Sequence, residues 1–253
     1  MKEMEVDYPI KQGSPLIIEL VGLAGAGKTT LLHALSRRNE KIRIGAEIEL
    51  RKIKHIPVFV RNTLPLLPII MYGSQYGRRF TWEEIKYLVY LKGWPYVLGQ
   101  QAAHGGTAIL LDHGPVFKLA TLNAFGPEYL KTERIQAWWN NMFNQWASTL
   151  DIVIWLDAPE PILEQRINSR SQRHAVKGKT ETEVLQFLAR YRMSYEQILA
   201  KLTMNGGPVL FQFDSSQMTI EQIVDDVLRT LKTHQEKTER KAELSNRQNI
   251  IVS

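Results

Sequence analysis

Cysteine is absent from all 253 residues. Disulfides, thiolate nucleophiles and zinc–cysteine sites are therefore excluded, and a reducing, cytoplasmic setting suits the chain. No apolar run approaches the roughly 18 residues that a membrane-spanning helix needs. The opening stretch MKEMEVDYPIKQGSP mixes charges and has no apolar core, so it does not read as a secretory signal. Internal repeats and heptads are also missing. Acidic residues are missing from two segments: Arg51 to Arg79 contains Arg51, Lys52, Lys54, Arg61, Arg78 and Arg79 without one Asp or Glu, and Arg166 to Lys179 contains Arg166, Arg170, Arg173, Lys177 and Lys179, again without one. These eleven cations exceed the net charge of +6, so the rest of the chain is acidic. Focused positive charge suits anionic ligands, although a solvated basic face is the plain alternative for each segment.

What is present begins with Leu16 to Thr30, LIIELVGLAGAGKTT. A short apolar run leads into Gly22-Leu23-Ala24-Gly25-Ala26-Gly27-Lys28-Thr29, the complete G-x-x-x-x-G-K-[ST] pattern of a P-loop, and helical sequence follows at once. A phosphate chain needs several backbone N–H donors aimed at one point. Glycines at 22, 25 and 27 let the backbone turn tightly and approach the anion, and the helix that opens there adds its unpaired amides and dipole. The pattern assigns Gly22, Ala24, Gly25, Ala26, Gly27, Lys28, Thr29 and Thr30 to nucleotide binding, with Lys28 reaching the β- and γ-phosphates and Thr29 a Mg²⁺ ligand. A glycine-rich turn with a chance Lys-Thr is the alternative.

Taken in order, residues 1–14 read as a loosely held arm, 15–231 as the folded domain and 232–253 as a disordered tail. A second strand is expected over Ile42–Leu50. His55–Tyr72 holds three prolines, which break long helices, so buried irregular structure or broken helices are expected there; a membrane-surface patch is the weaker alternative. Thr81 and Glu84 form a capping box for a helix through Leu91, which meets Gly93-Trp94-Pro95 and continues for a further turn to Ala103. Thr107–Asp112 and Asp151–Asp157 read as buried parallel strands, and His113-Gly114-Pro115 as the turn after the first. Lys131–Thr149 reads as an amphipathic helix whose Trp138, Trp139, Met142, Phe143 and Trp146 are core. A helix from Pro159 carries Arg166 and Arg170 on one face, a second long helix opens at Thr180, and Pro208–Asp214 is the last strand. The order βαβ…βαβαβα gives an α/β fold: three layers, α/β/α, around a mostly parallel five-stranded sheet, with the site at the carboxyl ends of the strands.

Three segments converge on that edge. The first is the P-loop. The second is Asp112, a lone carboxylate at a strand tip, placed to stand beside a bound Mg²⁺, with a turn-capping Asp the alternative. The third is the basic segment, whose Arg166, Arg170 and Arg173 have planar guanidinium groups that match phosphate oxygens. These are the parts that phosphoryl transfer requires.

With these residues the chain resembles the nucleoside and nucleotide kinase family of P-loop proteins, thymidylate kinase and the deoxynucleoside kinases being the nearest types. The resemblance rests on the P-loop, the strand ending in Asp112 and the L-x-x-R-I-x-x-R stretch Leu163–Arg170, and spans Leu16 to Leu231. It implies ATP and Mg²⁺, a P-loop fold with an arginine-rich lid at about 166–180 closing over ATP, and Lys28, Asp112, Arg166, Arg170 and Arg173 as the catalytic set, with Thr29 and Asp112 on the metal. Members often carry Asp-Arg or Glu-Arg after the third strand; here it is Asp112-His113, which leaves the acceptor open. Glu47 and Glu49 sit near the end of the second strand; in deoxynucleoside kinases a Glu in this neighbourhood acts as base, which makes Glu47 a candidate base for an alcohol acceptor, with a solvated strand carboxylate the alternative. The basic run ending Tyr76-Gly77-Arg78-Arg79 favours an anionic small-molecule acceptor. A nucleotide-binding switch and a sulfonucleotide-using transferase are the competing readings. Nucleic-acid binding is disfavoured because no recognition module is present, and whether the chain pairs as a homodimer is left open.

Overall fold

Residues 15–45, 56–73, 77–102, 107–170 and 175–233 are described by the structure, a computed structural model. Near-continuous apolar sequence forms the three inner strands of the sheet, because strands covered on both faces need no alternation, whereas the edge strand Val209–Asp214 alternates between half-buried and exposed residues. The strands are β1 (Leu16–Gly22), β2 (Ile42–Ile44), β3 (Ala108–Asp112), β4 (Ile152–Asp157) and β5 (Val209–Asp214). They run in the order β2-β3-β1-β4-β5, and every pairing among the described residues is parallel. The helices are α1 (Lys28–Arg38), α2 (Ile56–Thr63), α3 (Leu67–Gly73), α4 (Trp82–Ala102), α5 (Pro115–Phe125), α6 (Gln136–Ala147), α7 (Glu160–Ser169), α8 (Glu181–Leu202) and α9, over 220–233. They flank the sheet on both faces in the three-layer α/β/α arrangement of a P-loop protein. Register brings the site together: Leu20 lies beside Asp112 and Gly22 beside Leu156, so the start of the phosphate loop is level with the tips of β3 and β4. Among the described residues no helix is long and apolar enough to cross a membrane.

Several elements differ from the expectation. β2 stops at Ile44, although Gly45 N still donates to Leu110 O at 2.7 Å. Residues 46–50, with Glu47 and Glu49, lie outside the described residues, as do 1–14 and 234–253. The proline-rich stretch does form broken helices, α2 and α3 joined by a 3₁₀ turn at Leu64–Leu66. It is not buried, however: Leu66 is in the core, while Ile56, Val60, Leu64, Leu67, Met71 and Tyr72 are exposed. The helix read over Lys131–Thr149 begins later, at Gln136, after two 3₁₀ turns, and its Trp139, Met142, Phe143 and Trp146 are core as expected. α5 follows the Gly114-Pro115 turn and was not foreseen. α9 is described to residue 233, past the expected domain end at Leu231.

α4 passes straight through Pro95. Proline has no N–H, so it frees the carbonyl four residues earlier, that of Leu91. A buried carbonyl must find another donor. Trp146 Nε1 supplies one to Leu91 O at 2.9 Å, and Gln145 Nε2 another at 3.2 Å. The aromatic stripe of α6 thus repairs α4, and Tyr90 stacks on both Trp94 and Trp146. Trp146→Phe keeps the ring contacts and removes the stronger donor. Chemical denaturation is expected to show a loss of about 1–3 kcal/mol, and an unchanged midpoint would assign the repair to Gln145.

A joint beside α4 commits one of the foreseen cations. Glu84 N donates to Thr81 Oγ1 at 3.2 Å and Thr81 N to Glu84 Oε2 at 2.8 Å, the expected capping box. Arg78 Nη1 also donates to Glu84 Oε2, at 2.9 Å, and its Nη2 donates to the carbonyl of Phe125. Burial alone would raise the Glu84 carboxyl, but the bonds from Arg78 and Thr81 hold it below the ordinary value. Arg78 ties α4 to the end of α5, whereas Arg79 is exposed.

Candidate functional site

The loop between β1 and α1 takes its shape from two close approaches. Gly22 has φ 148°, and a Cβ there would stand 2.1 Å from Leu156 O; Gly25 has φ 91°, and a Cβ would stand 2.8 Å from Leu163 O. A side chain fits at neither position. Gly27, left-handed at φ 96°, is the N-cap of α1. Leu31 N is the first amide to bond back into the helix, to Gly27 O at 3.0 Å. The amides of Lys28, Thr29 and Thr30 precede that bond and are donors without an intrahelical partner. Together with the dipole they form an anion site. Ala24 and Ala26 lie in the loop, where Ala26 N closes a turn onto Leu23 O at 3.2 Å.

Lys28 Nζ donates to Gly22 O at 2.8 Å and to Leu23 O at 3.1 Å, folded back over the loop. Burial lowers its pKa to about 8; the charge of Arg170 adds to that, and the charge of Asp112 opposes it. Both groups therefore act on Lys28 across the site. Asp112 Oδ1 is buried and has no hydrogen-bond partner among the described residues. His113 Nδ1 is 3.9 Å away. A buried carboxylate oxygen left without a donor, level with the phosphate loop, has the chemistry of a hard-cation ligand. The Thr29 side chain is exposed at the start of α1. No group of three or more His, Asp or Glu among the described residues could cage a metal. A magnesium ion shared with substrate phosphates needs no such cage.

The arginines are placed differently from the expectation. α7 ends at Ser169, and Arg170 follows in extended conformation (φ −72°, ψ 147°), so Arg166 and Arg170 do not share a helix face. Arg166 is held by the protein itself: Nη1 donates to Gly25 O at 3.3 Å and to Ser215 Oγ at 3.0 Å, and Nη2 to Ser215 O at 2.9 Å. It braces the phosphate loop against the turn after β5. Arg173 lies outside the described residues. Beyond them, Val176 is buried, and α8 opens next to Thr180 as expected; there Thr180 and Glu183 close a capping box. Sequence reasoning missed two further ionisable groups at this edge. Arg192 of α8 pairs with Asp157 at the tip of β4 and with Glu160 at 3.0 Å. Glu19 is fully buried in β1; its only signal was a carboxylate interrupting an apolar strand.

A family described as "AAA domain" matches residues 17–196. The chain belongs to this P-loop family. The fold is also that of solved nucleotide and nucleoside kinases. The thymidylate kinase of Candida albicans superposes with a TM-score of 0.54 at 16% identity, over 88% of this chain and 93% of that one. The deoxyadenosine kinase of M. mycoides, solved with the products dCMP and dCDP, gives 0.50 at 16% identity, over 86% and 100%. At that identity the likeness establishes a kinase-like P-loop fold. No curated protein matches the sequence.

Proposed function

We propose that the protein is an ATP-dependent kinase that moves the γ-phosphoryl group to a nucleotide, a nucleoside or a similar small metabolite. The observation that carries the reading is Asp112: a buried carboxylate oxygen without a donor among the described residues, acting electrostatically on Lys28 of the phosphate loop. Loop amides and the Lys28 ammonium bind the donor phosphates, the ammonium leaving the carbonyls of Gly22 and Leu23 to do so. Thr29 and Asp112 would hold Mg²⁺, which supplies charge neutralisation on the phosphates when bound. Arg170, already within electrostatic reach of Lys28, stabilises charge at the transferring group, with Arg173 as its neighbour in the lid. Arg166 holds the loop in position through Gly25 and Ser215.

The test supplies ATP, magnesium and a panel of nucleosides, nucleoside monophosphates and sugars, and follows ADP. ADP release that depends on one acceptor class is expected. Release at one slow rate with every acceptor and with none would replace the kinase by a nucleotide-hydrolysing switch.

A further inference from the structure

A carboxylate in the central strand of a parallel sheet costs several kcal/mol unless its oxygens are bonded. Glu19 stands in β1 with neighbours on both sides, β3 and β4, and has no exposed surface. Both of its oxygens are used. Oε2 accepts from Val116 N at 2.8 Å and Oε1 from Phe117 N at 3.0 Å. These amides open α5, where no local group is able to cap them, because the N-cap is Gly114 and the first helical residue is Pro115. The cap therefore comes from a strand 97 residues away. Contact is close: a Cβ on Gly114 would stand 2.7 Å from Glu19 Cδ.

The same turn is held by a second buried group. Lys118, also buried, donates from Nζ to His113 O, and its ammonium lies 4.0 Å from the centre of the Tyr90 ring. Between the two grips His113 has φ 52°, left-handed for a residue with a side chain. Such a conformation persists only where its surroundings over-determine it. The residue before it is Asp112, and its own imidazole packs on Phe117 at 4.5 Å between ring centres. The mechanism above gives no part to Glu19 or Lys118.

We propose that Glu19 is a positioning residue: with Lys118 it clamps the turn 112–114 onto the phosphate-loop strand and so sets where Asp112 and His113 stand relative to Lys28. This rests on the kinase reading of the site, while its structural half does not. The charged and titratable groups acting on Glu19 are Lys118 from α5, Asp112 from β3 and Tyr195 from α8.

The test compares Glu19→Gln with wild type. Glutamine keeps the volume and has one accepting oxygen where two amides need one each. Amide exchange should lose protection at Val116 or Phe117, and the backbone NMR signals of Asp112 and His113 should shift while those of Gly25 and Gly27 stay. ATP affinity without metal should remain within about threefold, and kcat should fall about 10–100-fold, the range expected when a reacting group is slightly misplaced. Unmoved Asp112 and His113 signals with an unchanged kcat, beside a lower melting temperature, would reduce Glu19 to a buried helix cap and overturn the proposal. If the Gln variant does not fold, Lys118→Met releases the other grip and is judged by the same two readings. The NMR arm needs no acceptor, so a clamp that holds in a protein without kinase activity separates failure of the function from failure of this inference.

Discussion

Replacing Lys28 with methionine is expected to remove turnover while leaving the protein at least as stable as wild type. The ammonium is held by two carbonyls, Gly22 O and Leu23 O, and burial lowers its pKa to about 8. Below that pH the folded protein carries a half-buried, partly desolvated cation at a cost that the unfolded chain does not meet. Between about 8 and the ordinary lysine value of 10.5, the unfolded chain keeps its proton and the folded one does not, so stability rises with pH across that window. Methionine has a similar stem without the charge, so its melting temperature should match or exceed wild type at pH 7, with any gain shrinking as pH is raised through 8. Function depends on the charge that stability disfavours. Triphosphate affinity of the wild type should fall as pH rises through about 8, because the loop then has to take up a proton to bind. In the methionine variant kcat/KM should fall about 10²–10³-fold, the usual loss when one preorganised donor is taken from developing charge. Calorimetry and ADP release check both parts. Intact affinity and turnover in Lys28→Met would detach the phosphate loop from the reaction.

Features that depend on neighbours in sequence were legible before the structure. The phosphate loop, the buried strands, the capping box at Thr81–Glu84 and the helix start at Thr180 need only residues within a few positions of each other. Features set by distant partners were not. α4 survives Pro95 because the freed carbonyl of Leu91 receives a donor from Trp146, 55 residues further on. The bonds that Arg166 makes to Gly25 and Ser215, 141 and 49 residues away, have no signal in the sequence around it. Glu19 reads as noise in an apolar strand until the amides of α5 appear against it. α5 itself is apolar on nearly every side, with buried residues all around it, so no helical stripe marked it. The proline-rich segment misled in the other direction: apolar composition suggested burial, but the breaks that divide it into α2 and α3 leave few residues able to reach the core.

Asp112→Asn should divide nucleotide binding from catalysis. The variant keeps the shape of the strand tip, and Oδ1 has no hydrogen bond among the described residues to lose. Thermal stability is therefore expected to stay within about 0.5 kcal/mol, as for substitutions that break no named contact. Affinity for ATP in the presence of a chelator depends on the loop amides and Lys28, and should also hold. Magnesium-dependent ADP release should fall about 10²–10³-fold, because the amide is a poor ligand for a hard cation and supplies no charge to place it. Raising magnesium should recover part of the rate if the residue acts through the metal. A different role remains to be separated: Asp112 could serve by orienting His113, whose Nδ1 is 3.9 Å from the same oxygen. His113→Gln decides between them. If it reproduces the loss and excess magnesium rescues neither variant, the carboxylate works through the imidazole. If His113→Gln keeps most of the rate while Asp112→Asn responds to magnesium, the tip of β3 is where the metal is held.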